Sequence, residues 1–75
     1  MQIQISNNAG HLNQETLARR TSKVKAYAAS KGIEVISGPF WGVVPDPSSD
    51  RERLIETAVN RLASGEKLYQ EEIDA

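Results

Sequence analysis

The residue types that do chemistry are sparse in this chain. His11 is its one imidazole, and it has no cysteine. Nucleophilic catalysis needs a nucleophile, a base and an orienting group held together, and the serines here stand at loop and cap positions. His11 falls in the loop after the first predicted strand, where a solvated histidine is favoured over a catalytic one. One imidazole and scattered carboxylates make no metal-ligand set. Asp46-x-Ser48-x-Asp50 has the rhythm of a calcium loop, but Arg51 stands where the glycine belongs and Thr57 where the bidentate glutamate belongs. The loop Asn7–His11, ahead of a helix N-terminus, is a generic anion position. Its single glycine matches neither the dinucleotide fingerprint nor the P-loop. Glu52 and Glu56 lie one helical turn apart among Arg51, Arg53 and Arg61, as on a solvated face. The sequence therefore predicts no enzyme, no metal and no cofactor.

Three candidate binding surfaces remain. At 100° per residue, Arg19, Arg20, Lys23, Tyr27 and Lys31 gather on one side of the first helix, a basic face with an aromatic among its charges. In the predicted third strand, Phe40, Gly42 and Val44 point to one side and Trp41 and Val43 to the other. The single tryptophan is then either ordinary core under the second helix or an interface anchor. Leu68, Tyr69 and Ile73 set three apolar anchors in the acidic stretch 66–75, which is either a last helical turn or a tail able to dock on a basic partner.

The elements that must position these residues are legible in the spacing. Met1, Ile3 and Ile5 alternate with polar residues, the period of a strand with one buried face. Asn13 predicts a helix N-cap, Leu12 and Leu17 stand in staple positions, and Gly32 follows the helix end, giving a helix over 13–31. Leu17, Thr21, Val24 and Ala28 form its apolar stripe. Residues 33–36 and 40–44 are β-branched or aromatic runs joined by Ser37-Gly38-Pro39, which predicts a β-hairpin. Pro45 and Pro47 end the sheet. Ser49 with Glu52 makes a capping box before a second helix, whose apolar face is Leu54, Ile55, Ala58, Val59, Leu62 and Ala63. Ser64-Gly65 closes it. The order β-α-β-β-α predicts an α/β (α+β) fold: a small two-layer sandwich of a three-stranded mixed sheet and two helices. One domain spans 1–65, followed by the acidic segment 66–75.

Composition sets the remaining bounds. Seventy-five residues carry a net charge of −1. That total hides a dipole. Residues 1–33 hold five bases against Glu15 alone, about +4, while residues 34–75 hold nine acids against four bases, about −5. At this size core burial and chain entropy nearly balance, so a second copy or a partner is a natural source of stability. The absence of cysteine fits a reducing compartment, and apolar runs of only a few residues predict no membrane segment and a cytoplasmic protein.

These features point to a small non-catalytic protein that binds and occludes a macromolecular partner. It would act as an inhibitor or regulator, with a phage or mobile-element accessory protein as the most concrete version. The expected partner is a protein. The alternative is a dimeric DNA-binding regulator of antitoxin type, using the basic face of the first helix on phosphates. The element order resembles, in outline, that of the Phd/YefM antitoxins. A small-anion or nucleotide-binding module at the 7–13 loop is the third reading. A homodimer is compatible with each of them.

Overall fold

The computed structural model describes residues 1–6, 12–38 and 41–75. Its elements are β1 (Gln2–Ile5), α1 (Gln14–Lys31), β2 (Glu34–Ser37), β3 (Gly42–Val44), α2 (Asp50–Ala63) and α3 (Gln70–Asp74). The result is a small α+β fold with a three-stranded mixed sheet.

The sheet order is β2-β1-β3, with β1 parallel to β2 and antiparallel to β3. This corrects the expected hairpin, because β3 pairs with β1 and not with β2. The most completely buried strand residues, Ile3 and Ile5, lie on β1, and a strand flanked on both sides keeps them drier than an edge would. Gly38 marks the crossing. Its N–H donates to Ile5 O at 3.0 Å, extending the parallel ladder by one bond. The Gln4 side chain then lies where a Cβ at position 38 would be, within 1.5 Å of it. Glycine at 38 lets the chain pass beneath Gln4 with that side chain in its present position, and any larger residue there would displace it. The next residue is Pro39, which lacks the N–H to continue a ladder.

Ile3 aligns with Val35 on one side and Val43 on the other, so these three share the face turned toward the helices. That face meets Val24, Tyr27 and Ala28 of α1 and Ile55, Ala58, Val59 and Leu62 of α2 in one core, with α1 over β2 and α2 over β3. The predicted stripes are the buried ones, except that Thr21, Leu54 and Ala63 are only half-buried. Gln2 and Gln4 turn to the opposite, open face, where Gln2 Nε2 donates to Glu34 Oε2 at 2.8 Å.

Capping follows the sequence with one change. Asn13 Oδ1 accepts from the Thr16 N–H at 2.7 Å, and Ser49 Oγ accepts from the Glu52 N–H at 3.2 Å. The Glu52 carboxylate does not complete the box on Ser49. It accepts from the Ser48 hydroxyl at 2.7 Å and the Ser48 N–H at 3.1 Å, and these bonds hold its pKa below the usual value.

Residues 66–75 end in the short helix α3, packed against α2. Among the described residues no helix is long and apolar enough to cross a membrane, and no group of three or more His, Cys, Asp or Glu is placed to hold a metal ion.

Candidate binding surface

The geometry of the C-terminal segment is set by the last carbonyls of α2 and α3, which have no partner within their own helices. Cations near such ends are favoured by the helix dipole. Side chains of α1 supply the donors. Arg20 Nη1 donates to Ala63 O at 3.1 Å, Tyr27 Oη donates to Glu72 O at 2.8 Å, and Lys31 Nζ donates to Ile73 O. Lys31 also lies 5.6 Å from the centre of the Tyr27 ring. Gly65 makes the Arg20 contact feasible: at φ +80° it turns the chain beside the guanidinium, which sits 3.1 Å from where a Cβ would stand.

Glu72 is the second tie. Only 3% of it is exposed. One carboxylate oxygen accepts from Arg61 Nε at 3.1 Å, and the other accepts from the Tyr69 N–H at 2.9 Å. The latter is half of a capping box, since a tyrosine at the N-cap has no short side chain to reciprocate. Arg61 in turn lies 4.4 Å from the centre of the Tyr69 ring. Lys31, Arg61 and Glu72 are thus drawn inward, while Tyr69 and Ile73 remain 60% and 49% exposed. They are the exposed large apolar residues among those described. Glu66, Glu71 and Asp74 around them are exposed as well, against Lys67.

The predicted surfaces fare differently. Of the α1 set, Arg19 and Lys23 face solvent, with Arg19 3.7 Å from Glu15 in an exposed pair. Arg20 and Lys31 are only partly exposed and are engaged as described. Tyr27 does not stand among solvated charges: it is 8% exposed and belongs to the core. Its α1 position, at the border of the apolar stripe, lets the ring pack inward while the hydroxyl reaches α3. Burial, and then the nearby Glu72 carboxylate, push its phenol above the ordinary pKa.

Trp41 packs against the core and is half-buried. Its Nε1 is buried and has no hydrogen-bond partner among the described residues. Phe40, His11 and the Asn7–His11 anion loop lie outside the described residues.

Of the three expected anchors Tyr69 and Ile73 are exposed while Leu68 packs against the core, and Arg61 and Glu72 complete the C-terminal surface beside them. The Tyr69–Glu72 bond had a signal in the sequence, since Tyr69-x-x-Glu72 has capping-box spacing, but the missing Ser or Thr at 69 concealed it; the Arg61–Glu72 pair had none.

No protein-family model, curated protein or solved structure matches the chain.

Proposed function

We propose that this chain is a non-catalytic protein that works by binding a macromolecular partner, a protein with a basic surface, and occluding it. The observation that carries this reading is the outward presentation of Tyr69 and Ile73 on a segment held by three side chains of the body, Tyr27, Lys31 and Arg61. An aromatic and an aliphatic anchor held in place lose little conformational entropy on binding, which favours them as hot spots. The exposed acids beside them steer a basic partner toward the site. Arg61 is compensated by Glu72 and leaves that field unchanged, whereas Lys31, hydrogen-bonded to a neutral carbonyl, and Lys67 offset part of it.

A photo-crosslinking residue in place of Tyr69, in the living host, tests this directly. The expected result is one discrete protein adduct, lost when Ile73→Ser is added. The same probe at Thr57, on the outer side of α2, gives no such adduct. Adducts of equal yield at both positions, or none at Tyr69, would reject the reading. A DNA adduct from probes at Arg19 or Lys23 would instead move the function to phosphate contact by α1.

A further inference from the structure

The two edges of the sheet are unlike. β3 is three residues long and leads directly into Pro45 and Pro47, which blunt that edge against another strand. β2 carries no proline or lysine over Glu34–Ser37. Its ladder to β1, continued by the Gly38-to-Ile5 bond, turns the N–H and C=O of Glu34, Ile36 and Gly38 inward. Those of Val35 and Ser37 point away from the sheet and have no backbone partner among the described residues.

The helix layer leaves the space beside that edge roofed but unfilled. β2 and β3 are two strand spacings apart, about 10 Å, which is also about the distance between packed helices. With α1 over β2 and α2 over β3, α1 is centred on the edge strand and its outer half has no strand beneath it. Arg20 and Tyr27 mark the inner flank of α1, turned toward α2 and α3. At about 100° per residue, Thr21 and Lys25 lie on the outer flank, Thr21 half-buried and Lys25 exposed. The Ile33 N–H donates to Ala28 O at 2.9 Å, so Lys25, about one turn further back along α1, stands level with the middle of β2. Lys25 belongs to no ion pair among the described residues.

We infer that this side takes an extended, acidic segment of another protein, added to β2 as a fourth strand. The outward N–H and C=O groups of Val35 and Ser37 define the occupant as a strand, because they recur at alternate residues and need the matching alternation. Lys25 defines its charge. In an antiparallel addition, the residues opposite Val35 and Ser37 send their side chains to the helix face, beneath Lys25. The residue between them lies against the half-buried Ile36 on the open face. An acid-apolar-acid alternation matches these surroundings. A second copy of this chain does not fit, since β2 against β2 would bring the two α1 helices to about 5 Å, whereas helices pack at about 8–10 Å. The added strand must therefore carry no helix over its own pairing edge. This surface lies on the far side of α1 from α3, and the inference does not rest on the Tyr69 and Ile73 reading above.

Amide hydrogen exchange of the isotope-labelled whole chain, titrated to about 1 mM with the end-capped peptide Thr-Val-Asp-Val-Asp-Val-Thr, tests it. Binding is expected to slow exchange severalfold at Val35 and Ser37 and to leave Ile36, already in the ladder, as it was. The same peptide N-methylated at both aspartates keeps its charge but cannot donate to the edge, and is expected not to bind. Lys25→Glu, at an exposed helix position, should weaken binding about fivefold, and lysine in place of both aspartates should restore it. No slowing at the highest peptide concentration overturns the inference, as does equal binding by the methylated peptide. Slow exchange at Val35 and Ser37 before any peptide is added overturns it too, because the edge is then already covered. Unchanged affinity in Lys25→Glu overturns the acidic assignment.

Discussion

The first helix and the last ten residues both carry charge and aromatic groups in patterns that suggest a binding face, yet they use them in opposite directions. On α1, Arg20, Tyr27 and Lys31 turn onto carbonyls of residues 63, 72 and 73. On the C-terminal segment, Glu72 turns in and Tyr69 and Ile73 stay out. Two of the five bases in the first half, Arg20 and Lys31, are thus spent on helix-end carbonyls of the second half. Cations on one element and open carbonyls on another satisfy each other when the fold brings helix C-termini alongside. A charge pattern read along a single helix cannot distinguish that arrangement from a partner's footprint.

Substitutions can break this comparison, beginning with the largest effect. Trp41→Ala should lose about 3 kcal/mol of stability in denaturant titration, because the indole packs on the core; a loss under about 0.5 kcal/mol would turn Trp41 outward and make it the anchor. Glu72→Ala should cost about 2–3 kcal/mol, since it strands the partly buried Arg61 and removes the α3 cap. Arg20→Ala and Tyr27→Phe should each cost about 1–2 kcal/mol by leaving a helix-end carbonyl without its donor. Arg19→Ala and Lys23→Ala, on the same helix but facing solvent, should stay within about 0.5 kcal/mol. Equal losses across these four would erase the distinction between the inward and outward sides of α1.

The smallest effect is in the alkaline range. With its folded pKa raised, the Tyr27 phenol holds its proton in the folded state after the unfolded chain has released it. Stability is then complete below about pH 10 and declines as pH rises through the folded value. Tyr27→Phe should flatten that decline in denaturant titrations run at increasing pH. An unchanged slope would mean that the phenol is solvated.

The local elements were legible because each has a chemical signature within a few residues: the Asn13 cap, the Ser49 cap, the alternation of Met1, Ile3 and Ile5, and the stripes of both long helices. Strand order was not, because a short link between two β-branched runs reads as a hairpin. What decides otherwise is nonlocal, namely the demand of Ile3 and Ile5 for the central position and the passage of Gly38 beneath Gln4. The same limit applied to the candidate surface. Tyr69 was visible as an exposed aromatic, whereas Tyr27 read as one too. Its burial depends on α3 returning across α1, which no spacing within α1 encodes.

The central claim is that α3 is a fixed part of the body, held by α1 and α2, and not an acidic tail. Amide hydrogen exchange at Ile73, whose N–H donates to Tyr69 O at 3.2 Å, measures this most directly. Protection well above the unfolded rate, lost on Glu72→Ala while the α2 amides keep theirs, is the predicted result. Exchange of Ile73 at the unfolded rate in the wild type would contradict it.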